Sequence, residues 1–197
     1  MGGFATYHGG GPRAQAPAYY TGAGTVAALS ETVWLGPEQL EQNPPSRDVA
    51  EHVAITLGGT GVMIRAIEIP VVSGGGVNLS AYVPLSPYWD GGIVYARAYY
   101  TADSGADAMV TPDIQLRGQL TADGQNLDGF PGLVGAAATS LMPAAPWDLK
   151  ITGDIAITAG GVAPGATRLL WFYPWFWTDT RTVNIYLLGV RLYYGLS

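Results

Sequence analysis

The sequence contains no cysteine and a single lysine, Lys150, and both shortages exclude classes of protein. Without cysteine there is no disulfide framework, no thiolate nucleophile and no cysteine-ligated metal site. Charged residues make up only 12% of the chain, and the formal net charge is −6. A nucleic-acid-binding protein needs clustered lysine and arginine to neutralise phosphates, so we expect no nucleic-acid partner.

Long apolar runs are also missing. The longest, at residues 169–177, is far shorter than the roughly 20 residues that a membrane-spanning helix needs. The N-terminal stretch has no basic segment followed by an apolar one, so we expect no secretory signal. We therefore predict no membrane partner.

Catalytic and ligand-binding signatures are absent as well. The two histidines, His8 and His52, accompany no nucleophile elbow, and no phosphate-binding glycine loop precedes a helix. The acid-rich turns at 103–107 and 123–128 lack the ligand spacing of a calcium loop, and turn capping explains them. We predict no catalytic residues, no metal, no cofactor and no enzyme activity.

Glycine and proline are abundant, at 28 and 14 residues, which favours strands joined by turns over long helices. From residue 51 onward, eight runs rich in β-branched and aromatic residues alternate with Gly, Pro, Asp or Asn clusters. Residues 133–142 fit a ninth strand or a short helix. The pattern predicts an all-β protein with a jelly-roll-like antiparallel β-sandwich at 51–197.

Residues 1–50 differ in texture and are predicted to be an extended arm and linker. Their first 30 residues are poor in charge and show no strand or helix period. One interpretation is a disordered terminus. The other is an arm that orders against a neighbouring subunit and uses aromatic anchors, namely Tyr7, Tyr19 and Tyr20.

Neither side of the predicted strand IVYARAYY is fully polar. A sheet face that is freely exposed to water shows a cleaner division into polar and apolar sides. One side holds Ile93, Tyr95, Arg97 and Tyr99, and the other holds Val94, Ala96, Ala98 and Tyr100.

The run RLLWFYPWFW is the most aromatic part of the chain, with six aromatic residues among positions 171–177. Pro174 lacks a backbone donor and predicts an edge strand or a bulge. An apolar edge strand should not face water. Either the arm or linker covers it, or a second subunit does, and we favour the subunit because interface cores are rich in aromatics. The predicted contact residues are Trp171, Phe172, Tyr173, Trp175, Phe176 and Trp177.

The stretch WDGG, residues 89–92, predicts a turn that leads into a strand. Trp89 can cover one end of the core, and Asp90 can accept hydrogen bonds from nearby backbone donors. Gly91 and Gly92 permit positive φ before the strand begins.

This turn belongs to an ordered set of motifs, at Trp89–Gly92, Arg97–Thr101, Asp123–Asp128 and Leu187–Tyr193. Over residues 84–195 the set resembles a group of small phage virion structural proteins. The resemblance implies a virion location, as a capsid decoration, minor capsid or head-fibre component first and a tail component second. Its implied partners are the major capsid protein or neck and tail proteins.

One departure from these proteins bears on assembly. Where they carry charged residues in the penultimate strand, this chain has WFYPWFW. The change favours a homo-oligomer, for which we predict a trimer, because a closed ring hides an apolar edge from water.

A function from another class is also open: a carbohydrate-binding, receptor-binding β-sandwich of a tail or spike. Exposed tryptophan and tyrosine rings stack on sugar rings. Such a module leaves two or three aromatic residues exposed beside acids, whereas a shell protein buries them between chains.

Overall fold

The computed structural model describes residues 30–42, 49–56, 61–71, 76–105, 112–122, 134–137, 141–157, 168–176 and 181–196. Within these ranges all paired strands are antiparallel, and the single helical element is a 3₁₀ turn at Pro37–Gln39. The predicted all-β antiparallel sandwich is confirmed. The strands are β1 Ser30–Leu35, β2 Glu41–Gln42, β3 Glu51–Thr56, β4 Met63–Ile69, β5 Val77–Leu85, β6 Val94–Ala102, β7 Ile114–Ala122, β8 Val134–Ala137, β9 Lys150–Ile151, β10 Ile155–Ile157, β11 Arg168–Phe176 and β12 Ile185–Gly195.

The larger sheet has seven strands and is built around β12. One edge of β12 pairs with β6, and the other edge pairs first with β4 and then with β1. The far edge of β6 is shared in the same way by β9 and β10. β3 pairs with β4 and is the outermost strand on that side.

The smaller sheet has five strands in the order β2-β5-β11-β7-β8. Its β8 strand lies in the stretch for which the sequence allowed either a strand or a helix. β7 approaches the larger sheet closely at Gly118, where an added Cβ would lie 3.2 Å from Ile157 of β10. A glycine here lets the two layers come together.

The core lies between the sheets and is filled by alternate residues of the long strands. In β5 the buried positions alternate strictly with partly or fully exposed ones. Burial of this apolar surface is the main stabilising term for a chain that has no disulfides. The inward side chains of β5 and β6 are Val77, Leu79, Ala81, Val83, Leu85, Val94, Ala96, Ala98, Tyr100 and Ala102.

The predicted start of the sandwich at residue 51 is wrong. β1 pairs with β12 over six residues, and β2 pairs with β5, so residues 30–42 contribute to both sheets. Leu35 and Leu40 lie in the main core. Residues 1–29, which include Tyr7, Tyr19 and Tyr20, lie outside the described residues.

The predicted edge position of RLLWFYPWFW is also wrong. β11 lies inside the smaller sheet, between β5 and β7, and it is not in the same sheet as β12. Pro174 falls where the pairing with β5 is interrupted, between Phe172 and Trp175, while the pairing with β7 continues past it. The missing donor of proline therefore affects one side of an interior strand.

The turn at Trp89–Gly92 joins the start of β6 to the end of β12. The Trp89 side chain is 1% exposed and belongs to the core, and Trp89 forms a bridge with Leu196. A carboxylate oxygen of Asp90 accepts a 2.7 Å hydrogen bond from the Gly92 amide, and Gly91 has a φ of +82°. The Asp90 amide donates to the Gly195 carbonyl at 3.2 Å.

Among the parts of the chain that the structure describes, no helix is long and apolar enough to cross a membrane.

Gly189 interrupts the regular register of β12 with β6, between Leu187 and the residues that follow. Its φ is +154°, and an added Cβ would collide with the Trp34 ring and lie 2.7 Å from the Leu35 carbonyl oxygen. Trp34 therefore reaches across β12 only because residue 189 has no side chain.

We predict that Gly189→Ala destabilises the domain by about 2 kcal/mol, or roughly 4–8 °C in Tm for a chain of this length, because both β1 and Trp34 must shift. Differential scanning calorimetry measures the change. Gly61→Ala is the matched control: Gly61 also has positive φ, but open space surrounds it. Equal losses in the two variants would contradict a role for the close approach.

Candidate functional site

The outer surface of the larger sheet carries a group of aromatic and charged side chains from four adjacent strands. One of its seven residues lies on β1, two lie on β12 and three lie on β6. The seventh, Asp154, directly precedes β10. Register brings them together, since Trp34 is opposite Arg191, Arg191 is opposite Arg97, and Tyr193 is opposite Tyr95. We name this group the aromatic–arginine face; its members are Trp34, Tyr95, Arg97, Tyr99, Asp154, Arg191 and Tyr193.

The aromatic rings of the face contact one another. Tyr95 and Tyr193 are stacked, with ring centroids 5.3 Å apart and planes 19° from parallel. Trp34 meets Tyr99 edge to face, with centroids 5.1 Å apart. Ring pairs in such geometries stabilise each other and hold the rings in place. Trp34 nevertheless remains 48% exposed, so a ring surface is available to a ligand.

Arg97 and Asp154 form a bidentate ion pair on the β6–β10 side of the face. Nε of Arg97 bonds one carboxylate oxygen, and Nη2 bonds the other at 2.8 Å. The hydrogen bond from Arg97, together with Tyr193 and the charge of Arg191, lowers the pKa of Asp154 to about 2. The same hydrogen bond raises the pKa of Arg97. Both groups are therefore charged at neutral pH.

Arg191 is held differently. Its guanidinium carbon lies 5.5 Å from the centre of the Tyr193 ring, within cation–π range. Its Nη2 donates a long hydrogen bond of 3.4 Å to Thr32, and its buried Nε has no hydrogen-bond partner. Arg97 approaches the same ring at 5.7 Å. Tyr193 thus lies beside two guanidinium groups, and burial is the first cause of its raised pKa.

The face is extended rather than enclosed. Its four strands give it a width of about 14 Å, and the span from Tyr95 to Tyr99 along β6 gives a length of about 13 Å. The tyrosines and arginines are half-buried, and Trp34 is the most exposed aromatic residue of the face. A flat surface of this kind suits a chain-like or ring-shaped ligand that lies along the sheet.

A second aromatic pair lies further along the same sheet, near Glu68 of β4 and Asp103, which follows β6. Trp147 and Tyr186 have ring centroids 5.5 Å apart, and Trp147 has an unusual φ of +67°. Burial, followed by the charges of Glu68 and Asp103, raises the pKa of Tyr186 to about 12. This end of the sheet is acidic, in contrast to the aromatic–arginine face.

His52, which the sequence singled out as one of two histidines, is exposed on β3. It lines an open pocket of about 230 Å³ together with Glu38 and Arg65. No group of three potential metal ligands occurs among the described residues.

The predicted contact residues of β11 are only partly described. Phe176 is 1% exposed and lies in the core of its own chain, so its predicted role in a subunit interface is wrong. Trp177 and the side chains of Trp171, Phe172, Tyr173 and Trp175 lie outside what the structure describes, and their roles stay predictions.

The sequence predicted part of the aromatic–arginine face and missed the rest. Alternation in IVYARAYY placed Tyr95, Arg97 and Tyr99 on one side of a strand, as the structure has them. Trp34 was missed because its segment was assigned to the linker. The alternation and β-branched residues of SETVWL were the available signal.

No protein-family model matches the sequence, and no curated protein matches it. Among solved structures, the chain is similar to the enzymatically active domain of tailspike protein 4 of bacteriophage CBA120, at 12% identity and a TM-score of 0.41, over 80% of this chain and 19% of that one. It is similar to a carbohydrate-binding module of Caldicellulosiruptor saccharolyticus in complex with mannohexaose, at 12% identity and a TM-score of 0.41, over 82% and 96% of the two chains. It is also similar to a Stig cyclase of Fischerella sp. TAU, at 10% identity and a TM-score of 0.39, over 93% and 82%. The chain spans about one fifth of the tailspike chain, and TM-scores this low carry no argument about function.

We predict that the Asp154 carboxyl titrates with a midpoint near 2, against an ordinary value of 3.8. A lowered pKa in the folded state means that ionised Asp154 stabilises the fold above about pH 4, and that this contribution is lost as the pH falls toward 2. The stability difference between the native protein and Asp154→Asn should therefore be constant above about pH 5 and shrink below about pH 4. It should stay at or below about 1 kcal/mol, since solvent screens the pair.

Carbon-detected NMR titration measures the midpoint directly, and urea unfolding at several pH values measures the stability difference. Asp148→Asn is the control, because it removes an exposed acid from the neighbouring loop without touching the ion pair. A midpoint near 4 for Asp154 would contradict the prediction.

Proposed function

We propose that this chain is a carbohydrate-binding β-sandwich of a virion tail or spike, and that the aromatic–arginine face contacts the glycan. The observation that carries the proposal is the exposed Trp34 ring, set beside stacked tyrosines, two arginines and Asp154 on one sheet surface. One exposed ring flanked by half-buried tyrosines and an acid is closer to the arrangement expected of a carbohydrate-binding module than to aromatics buried between chains.

The chemistry of the face matches the chemistry of a sugar ring. A pyranose has an apolar face of C–H groups that packs on an aromatic ring, and hydroxyl groups around its edge. Charged hydrogen-bonding groups orient those hydroxyls, because bonds to ionised partners are stronger than neutral ones. Trp34 supplies the packing surface, and Arg97 and Asp154 supply oriented donors and acceptors.

The rigidity of the face supports binding rather than a reaction. Trp34 packs against Tyr99, Tyr95 packs against Tyr193, and Arg97 is paired with Asp154. These side chains therefore lose little conformational entropy when a ligand binds. The pKa of Asp154 is far below the range that a general acid needs at neutral pH. The virion setting comes from the motif resemblance at 84–195, and it makes a host-surface glycan the natural ligand.

We predict that Trp34→Ala reduces glycan affinity at least about tenfold, the loss that accompanies removal of an aromatic anchor. The fold should survive, because Trp34 is about half exposed and contributes little to the core. A glycan array identifies the ligand, and isothermal titration calorimetry then gives the affinities.

The matched control for this variant is Tyr82→Ala. Tyr82 is 63% exposed on β5, on the outer surface of the smaller sheet. Its removal should leave binding unchanged. Loss of binding in Tyr82→Ala with retention in Trp34→Ala would move the site to the other sheet and overturn the assignment.

A second candidate function, a virion subunit that binds other subunits, rests on the β3 edge. β3 is outermost in the larger sheet, with β4 as its one strand partner among the described residues. Val49, Val62 and Met63, near the ends of β3, are all more than half exposed. A strand edge with apolar neighbours is a template for pairing with another chain.

If β3 is an assembly edge, light scattering of the purified protein should give a multiple of the chain mass of 20.7 kDa: about two chains if β3 pairs with β3 of a second copy, and about three for the trimer that the sequence predicts. Met63→Asp should then return the mass to that of one chain, while Trp34→Ala should not. A single-chain mass at all concentrations would remove the support for self-assembly.

Deletion of residues 1–29 distinguishes the two candidate functions. It should leave glycan binding intact, since the face begins at Trp34, and it should abolish attachment of a shell subunit that uses the arm.

A further inference from the structure

The aromatic–arginine face carries two cations and one anion, and this excess has a bearing on the ligand. Arg191 and Arg97 are directly opposite each other on β12 and β6. Like charges in that position destabilise a sheet. Asp154 forms an ion pair with Arg97.

Other acids near the face are engaged elsewhere or belong to another part of the sheet. Glu31 precedes Thr32 on β1, and it contributes to the raised pKa of Tyr194, whose side chain belongs to the core. Glu68 and Asp103 act on Tyr186, at the acidic end of the sheet. Arg191 is therefore left with the Tyr193 ring, a long contact to Thr32 and the charge of Asp154, which is hydrogen-bonded to Arg97 instead.

Two arginines lie side by side on this aromatic surface, although the chain as a whole has a net charge of −6. A second negative charge would balance the guanidinium that Asp154 does not pair with. A neutral sugar does not provide it. A carboxylate on the sugar does, because a guanidinium binds a carboxylate through two parallel hydrogen bonds. Such a group would reach Arg191 through its terminal Nη atoms, because its Nε is buried.

We infer that the ligand of this face is an acidic glycan with a carboxylate on its sugar ring, such as a polyuronate or a sialic acid polymer, and that Arg191 binds this carboxylate. The inference rests on the proposed function and narrows it to a substrate class. Trp34 and Tyr99 contact the apolar side of the sugar, and Arg191 sets the preference for charge.

The test compares matched ligands that differ only in charge. Oligogalacturonate is compared with its methyl ester, which has the same backbone. Alginate oligomers and hyaluronate oligomers are each compared with their own esters in the same way, and a sialic acid polymer is also tested. The native chain, Arg191→Gln and Arg191→Lys are measured by titration calorimetry at about 50 mM and about 500 mM NaCl. Arg65→Gln, which removes an exposed arginine from β4, controls for net charge.

We expect at least one acidic glycan to bind about tenfold or more tightly than its ester, a difference that Arg191→Gln abolishes and Arg191→Lys partly restores. Salt should weaken the acidic ligand and leave the ester nearly unchanged. Arg65→Gln should behave as the native chain does.

Two results would overturn the inference, and they have different consequences. Equal affinity for acid and ester, or a preference for neutral glycans on an array, would refute the carboxylate and leave the carbohydrate-binding function standing. Absence of binding to every acidic and neutral glycan would refute the proposed function, and the inference with it.

Discussion

β12 is paired along both of its edges, and this double pairing organises the larger sheet. β6 occupies one edge, while β4 and β1 share the other end to end. The inward side chains of β12 belong to the core, and its outward ones include Arg191 and Tyr193. The irregularity at Gly189 gives Trp34 the room to cross the strand and reach Tyr99. β12 thus contributes to the packing of the core, to the strand order of the larger sheet and to the aromatic–arginine face.

The charges of the face are tolerated because neighbouring groups offset them. Two opposed guanidiniums repel, and the chain has few charged residues with which to balance them. The Tyr193 ring attracts both cations through its face, and Asp154 neutralises one of them in a bidentate pair. The remaining positive charge is partly solvated. The acidic glycan that we propose as the ligand would supply a second negative charge.

The fold class follows from the sequence because strand-forming runs and turn residues agree along most of the chain. The outward position of Tyr95, Arg97 and Tyr99 follows from alternation alone. The outward position of Arg191 does not. Ile185 and Leu187 point inward, and unbroken alternation would turn residue 191 inward too, but the shift before Gly189 reverses the phase. Trp34 and β1 were missed because the short strand pattern of SETVWL lies in a segment that was assigned to the linker. β11 was misplaced because Pro174 can sit in an interior strand when its missing donor interrupts the ladder on one side.

The pairing of β1 with β12 also has a consequence during protein synthesis. About 155 residues separate the two strands, and ribosomes add about 5–20 residues per second, so β1 waits roughly 8–30 s for its partner. During that interval its backbone edge is open and Trp34 has no completed sheet to lie on. A nascent chain at this stage offers other nascent chains a strand to pair with. Translation of one messenger RNA by several ribosomes therefore favours strand pairing between copies of the chain. Contacts this distant also make folding slow, which lengthens the exposure.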